Sequence, residues 1–243
     1  MKHKIFIMSN KGGVGKTTIA VNLAYSLSEE GYKVGLLDID IHGPNAPEML
    51  GLKNKRVEAE NEKIVPVKFN DNLYVMSIAF LTENQGQPVI WRGPLKTKLI
   101  NQFINDVKWP ELDFLIVDLP PGTGDETITV MQILKERSGS IIVSTPQKVS
   151  VTDARKAINV SREFDIPIIG LIENMSGEMF GTGTVEKLAK STKVPFLGRL
   201  SMDKTITDFS NKGKPFVTNK KIKAYAEFKN IVEKIKKNLK LKK

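Results

Sequence analysis

The sequence predicts an α/β fold built on a single doubly wound, mostly parallel sheet with helices on both faces. Three observations carry this. Short runs rich in Ile, Val and Leu alternate with amphipathic stretches along the whole chain. That is the pattern of strands buried on both faces and joined by covering helices. A glycine-rich segment at residues 10–18 lies between the first apolar run and the first amphipathic stretch, the strand–loop–helix setting of a phosphate-binding loop. Two further apolar runs end in aspartate, at Asp38 and Asp118, on the sheet edge where open α/β folds bind ligands.

The predicted strands are Ile5–Ser9, Val34–Asp38, Leu73–Ser77, Phe114–Asp118, Ser140–Ser144, Ile168–Glu173 and Phe196–Leu200. The first helix runs from Lys16 to Glu29, with Ala20, Leu23, Ala24 and Leu27 on one face and Gly31 as its stop. Further helices are expected over Pro94–Val107, Glu126–Glu136, Ser150–Phe164 and Thr184–Ser191. A short helix follows from Asp203, and a last one covers Ile222–Leu239. Residues 53–70 are charged and read as a surface hairpin. No repeat or linker divides the 243 residues, so one domain over 1–243 is expected.

Composition narrows the functional classes. The chain has no cysteine, which excludes disulfides, thiolate catalysis and cysteine-held metal within it. It contains no run of eighteen apolar residues and no secretory signal pattern, so a cytoplasmic location is the default. Of the net charge of +10, +8 lies in residues 220–243, where ten lysines face Glu227 and Glu233. The basic charge therefore describes the tail and gives no reason to expect nucleic acid on the main body.

Residues 10–18 read Asn-Lys-Gly-Gly-Val-Gly-Lys-Thr-Thr. Gly12, Gly13 and Gly15 let the backbone curl so that the N–H groups from Gly12 through Thr18, Val14 included, face phosphate oxygens. The following helix N-terminus adds a favourable dipole. Lys16 supplies charge to the β- and γ-phosphates, and the Thr17 hydroxyl is placed to ligate Mg²⁺. A dinucleotide-binding turn fails, because Thr18 stands where its third glycine belongs and Lys16 and Thr17 are left without a role. Phe114-Leu-Ile-Val-Asp118 has the Walker B form, with Asp118 a ligand of Mg²⁺ directly or through water. Asp38 and Asp40, two apart at a strand end, would face the same side if the strand continued. Each could instead satisfy nearby backbone N–H groups.

The loop resembles the deviant Walker A of the MinD, ParA, Mrp and nitrogenase iron-protein superfamily, through Asn10 at the usual first glycine and the extra Lys11. In that superfamily the extra lysine crosses a dimer interface to the partner's nucleotide. The resemblance therefore implies ATP as ligand, an ATP-sandwich homodimer and a catalytic role for Lys11. It also implies that Asp40 positions the attacking water, that Asp38 holds Mg²⁺ through its waters, and that Gly122 offers its N–H to the γ-phosphate.

The match is closer still. Asp38-Ile-Asp-Ile-His-Gly-Pro-Asn45, Trp91-Arg-Gly-Pro94, Asp118-Leu-Pro-Pro-Gly-Thr-Gly-Asp125, Ser144-Thr-Pro-Gln147 and Glu173-Asn-Met-Ser176 resemble the Mrp, or ApbC-type, iron–sulfur cluster carrier ATPases. This implies an iron–sulfur cluster as cargo and an assembly or client protein as partner. It also implies that Asn174 reads the adenine edge, an amide being donor and acceptor together; capping the next turn is the alternative. Most members carry Cys-x-x-Cys shortly after that last segment, whereas this chain runs Ser176-Gly-Glu-Met-Phe-Gly-Thr-Gly183. Clusters are held mainly by thiolates, so the ATPase half of the family pattern is present and the cluster-holding half lacks its ligands.

In the last helix Ile222, Tyr225, Phe228, Ile231, Ile235 and Leu239 form an apolar stripe amid lysines. It packs on the domain or, as in MinD proteins, meets anionic lipid. The second possibility carries the alternative reading of the chain, a MinD- or ParA-like positioning switch.

Overall fold

A computed structural model describes residues 1–41, 43–61, 63–81 and 100–241. His42, the Trp91–Pro94 motif and the start of the helix expected from Pro94 lie outside the described residues.

The chain enters through β1 (His3–Met8) and turns through residues 9–15 into α1 (Lys16–Glu29) and then β2 (Val34–Asp38). A short α2 (Ala46–Met49) precedes an antiparallel hairpin of β3 (Glu58–Glu60) and β4 (Lys63–Val65), inside the stretch expected to hold one. β5 (Val67–Lys68) and β6 (Leu73–Ser77) follow, and residues 100–105 belong to a helix, α3. Next come β7 (Phe114–Asp118), α4 (Asp125–Ile133), β8 (Ser138–Ser144), α5 (Lys148–Glu163) and β9 (Ile168–Ser176). The chain finishes with α6 (Thr184–Thr192), β10 (Phe196–Ser201), α7 (Lys204–Asn211) and α8 (Lys223–Asn238).

Eight strands form one sheet in the order β10-β9-β8-β1-β7-β2-β6-β5, and only β5 runs antiparallel to its neighbour. Every residue of β2 (VGLLD) and β7 (FLIVD) is buried. This follows from a parallel sheet covered on both faces, where no strand residue can face water. β1 lies between β7 and β8. Asp118 therefore pairs laterally with Ile7 on one side and with Asp38 on the other. The sheet order thus brings the ends of β1, β7 and β2 together at one edge.

Two expectations are corrected here. The helix after Gly124 stops at Ile133 instead of Glu136, because residues 135–138 turn (Ser138 N to Lys135 O, 3.1 Å) and Arg137 already joins the sheet by accepting from Lys4 N. The apolar stripe of α8 is not free: Phe228, Ile231, Val232 and Ile235 are buried, and the helix lies on β10. The lipid-facing alternative therefore loses the apolar face it required.

Away from the sheet, the turns after α2 and α7 meet backbone to backbone. Gly51 (φ 67°) and Gly213 (φ 64°) both adopt left-handed geometry, and a Cβ on Gly213 would lie 2.6 Å from Gly51 Cα. Gly31 (φ 91°) carries the same backbone preference with open space around it. The two sites separate strain from contact. Gly31→Ala should cost about 1 kcal/mol in urea unfolding. Gly213→Ala should cost about 2–4 kcal/mol, since backbone must also move. Equal losses would show that the α2–α7 contact contributes nothing.

Candidate nucleotide and magnesium site

The loop between β1 and α1 curls as its glycines permit. Gly13 (φ 76°) and Gly15 (φ 89°) hold left-handed conformations, and Gly15 caps α1 from that geometry. A side chain at Gly15 would also collide with Asn174, whose Nδ2 lies 2.2 Å from the Cβ position. Gly12, Gly13, Gly15, Lys16, Thr17 and Thr18 line a cleft of about 510 Å³ with Asp40, Pro121 and Asn174. Met175 and Met202, Ile206 of α7, and Met49 of α2 form other parts of its wall. Val14 is buried behind the loop.

The acids divide their tasks. Asp118 is fully buried, and its Oδ2 accepts from the Thr17 hydroxyl at 2.5 Å. Its Oδ1 is buried with no hydrogen-bond partner, and a buried acceptor in that state needs a reason. Burial pushes the Asp118 carboxyl up to about 6, against the opposing influence of Lys16 and the Thr17 hydroxyl. Lys16 is itself buried, with Nζ 4.0 Å from Asp40 Oδ2. An orphaned carboxylate oxygen, an adjacent hydroxyl and a second carboxylate across the lysine form a hard-oxygen set that suits Mg²⁺. Among the described residues no group of three or more His, Cys, Asp or Glu could hold a metal alone. The ion would thus rely on Thr17, Asp118 and phosphate oxygens, as Mg²⁺ commonly does.

Asp38 is held inside the protein: its Oδ1 accepts from Asp40 N (3.2 Å), and its Oδ2 accepts from Ala46 N (3.1 Å) and the Ser77 hydroxyl (3.0 Å). These bonds tie Asp40 and Ala46 to the ends of β2 and β6. Burial and the neighbouring Asp118 hold its carboxyl well above the ordinary range. The strand also ends at Asp38, and Asp40 reaches the cleft from the following turn, where Gly43 N approaches its carboxylate.

Other expected residues are placed as follows. Lys11 is exposed at the lip, and its carbonyl accepts from the Ser9 hydroxyl. Gly122 (φ 96°) donates its N–H to Ser9 O at 3.0 Å, so that amide must give up a bond before it can meet a phosphate. Asn174 is buried and donates to Val14 O at 2.8 Å, which joins the end of β9 to the phosphate loop.

Two supports went unassigned in the sequence. Glu173 is fully buried and accepts from Gly183 N (2.8 Å), Val185 N (3.0 Å), the Ser176 hydroxyl (3.0 Å) and Arg199 Nε (3.0 Å). It thereby fixes the short segment where Cys-x-x-Cys was looked for, which closes through reciprocal Gly177–Gly181 bonds. An acid inside an apolar strand was the available signal. Asp153 of α5 accepts from Asn10 Nδ2 at 3.0 Å and so ties down the entry to the loop, and no local pattern marked it.

The raised carboxyls set a sign for stability. A group that binds its proton more tightly when folded stabilises the fold at low pH and loses that contribution as pH rises through its folded value. For Asp118 the window runs from about 4 to about 6. In chelator, wild-type stability minus that of Asp118→Asn should fall across this window by a few kcal/mol. Mg²⁺-nucleotide should restore stability to wild type but not to the variant. A flat difference in thermal melts against pH would refute the assignment.

Known proteins resemble this chain over nearly its whole length. Residues 1–236 match the family described as ParA: NUBPL iron-transfer P-loop NTPase. An iron-sulfur cluster carrier protein of Methanocaldococcus jannaschii is 49% identical, over 97% of this chain and 84% of its own. A cytosolic Fe-S cluster assembly factor Nubp2 homolog of Anopheles gambiae is 46% identical over 89% of each chain. Among solved structures, a nucleotide-binding protein of Archaeoglobus fulgidus in complex with ADP superimposes with a TM-score of 0.78, at 35% identity over 90% of this chain and 89% of its own. MinD of Pyrococcus horikoshii, complexed with Mg-ADP, shares the fold at a TM-score of 0.78 and 24% identity, over 98% of this chain and 97% of its own. With residues 1–236 matched, this protein belongs to the ParA-type family of NUBPL iron-transfer P-loop NTPases.

Proposed function

We propose that the chain binds and slowly hydrolyses Mg²⁺-ATP as a homodimer, in the cytoplasm, in the service of iron–sulfur protein maturation. The observation that carries the reading is the unpartnered, buried Oδ1 of Asp118 beside the Thr17 hydroxyl, at the foot of a curled main-chain loop. Thr17 and Asp118 would hold the metal, and Asp38 keeps Asp40 and Ala46 in place beside it. When bound, Mg²⁺ would neutralise charge on the β- and γ-phosphates.

The protein's own groups supply positioning and charge. Backbone N–H groups of residues 12–18 orient the triphosphate, and Lys16 carries charge to its terminal oxygens. Asp40, beside Lys16, orients the attacking water in line with the scissile bond. Lys11, exposed at the lip, reaches the nucleotide of a second copy and stabilises charge that spreads in a loose transition state. The side-chain amide of Asn174 meets the base while its strand braces the loop. Gly122 exchanges the Ser9 carbonyl for the γ-phosphate and so reports whether that group is present.

With no cysteine in the chain, a cysteine-bearing partner holds the cluster. The Gly177–Gly181 turn closes on itself through its backbone and carries no thiolate.

Two experiments test this. Lys16→Ala should lose nucleotide binding and at least about a hundredfold in hydrolysis. Lys11→Ala should keep binding, lose about tenfold or more in turnover and fail to dimerise with ATP in light scattering. Wild-type turnover should lie below about one per second. Failure of the wild-type chain to bind Mg²⁺-ATP would remove the proposal. In anaerobic reconstitution the chain alone should take up no cluster, whereas a complex with a cysteine-bearing partner should. Stoichiometric cluster on the isolated chain would overturn the division of labour.

A further inference from the structure

The sheet edge opposite the nucleotide cleft carries a second concavity, of about 620 Å³. It opens at the amino ends of β1, β8 and β9, beside the last turn of α8. Lys2, Lys4, Arg137 and Lys240 line it, and no Asp or Glu does. Pro167, Ile168 and Leu239 contribute apolar surface between them.

The nearest acids leave much of this charge unmatched. Asp113 pairs with Lys2 at 2.8 Å, and Glu136 approaches Arg137 only at 3.8 Å between well-exposed groups. Lys4 Nζ donates to a carbonyl, Glu136 O, at 2.9 Å. Burial, with Arg137 adding to it, lowers the Lys4 ammonium from its ordinary value. The position is also unexpected for a parallel sheet, whose ligands belong at the opposite, carboxyl ends of the strands.

We propose that this groove is a docking site for an acidic peptide segment of a partner protein, with an apolar side chain seated on the Ile168 floor and flanking carboxylates on the cationic rim. Charge complementarity assigns the partner. Four cations at the rim against Asp113 and Glu136 beside it leave a net positive charge, which favours polyanions, and a concave apolar floor between the cations selects a peptide among these. A lipid surface would need an apolar element to insert, and the stripe of α8 is buried. Sequence-tolerant binding of single-stranded nucleic acid uses aromatic faces for stacking, and the one aromatic ring that lines the groove among the described residues, His3, is stacked on Phe114. Because the groove lies at the far edge from the nucleotide cleft, a partner held there leaves the loop and its lip free. The inference does not depend on ATP hydrolysis and can fail or hold by itself.

The test uses the full chain and a fluorescein-labelled peptide, Glu-Asp-Leu-Phe-Asp-Glu, followed by anisotropy at low salt. Binding is expected, and it should weaken steeply as salt rises. The double variant Arg137→Glu/Lys240→Glu should lose at least about tenfold in affinity and keep wild-type ATP hydrolysis. Both residues are exposed with positive φ, so glutamate adds no new backbone strain and folding is preserved. Replacing the peptide's Leu and Phe by Ser should also abolish binding. As a check independent of variants, Ile168 methyl resonances of the wild-type chain should shift on peptide titration. No binding, binding unaffected by the double variant, or unmoved Ile168 methyls would overturn the proposal. So would tighter, groove-dependent binding of duplex DNA or phosphatidylserine vesicles than of the peptide.

Discussion

The structure is organised around a shortage of positive charge in a dry place. Asp38 and Asp118 sit side by side at the ends of adjacent strands, both without solvent contact, and Asp40 closes the group next to the buried ammonium of Lys16. Such a cluster is costly unless something compensates it. Asp38 is compensated locally by two backbone amides and a hydroxyl. Asp118 is compensated in part, by the Thr17 hydroxyl on one oxygen and by the nearby charge of Lys16, and its other oxygen has no hydrogen bond. The two neighbouring acids are thus satisfied unequally, Asp38 on both oxygens and Asp118 on one.

Much of the scaffold could be read from the chain. Runs such as Phe114–Asp118 and Val34–Asp38 admit only the doubly covered strand, because apolar residues on both alternations leave no face for water. The loop at residues 10–18 was readable because phosphate binding demands glycine, lysine and hydroxyl at fixed spacing. Relations across long separations were hidden. Nothing near Asp38 in sequence announces Ser77, nothing near Gly122 announces Ser9, and the 160-residue span from Val14 to Asn174 is closed only by the strand order. α7 was legible as a helix, but its place as a wall of the cleft depends on the Gly51–Gly213 approach, which is a tertiary event.

The segment after β9 holds its geometry without any cysteine. Glu173 spends its carboxylate on two backbone amides, a hydroxyl and Arg199, and Arg199 reaches on to Glu186. This network keeps β9, the start of α6 and β10 in register with each other. On the opposite side of the same strand Asn174 braces the phosphate loop. The turn between β9 and α6 is thus anchored independently of the nucleotide side.

The buried stripe of α8 has a practical consequence at the bench. With Phe228, Ile231 and Ile235 committed to the interior, the helix displays its lysines on an outer rail that cannot retract. Such a rail will adhere to heparin, phosphocellulose and stray nucleic acid through counterion release alone. Retention on those matrices, or an absorbance ratio betraying copurified RNA, measures ionic strength in the wash buffer more than biological choice.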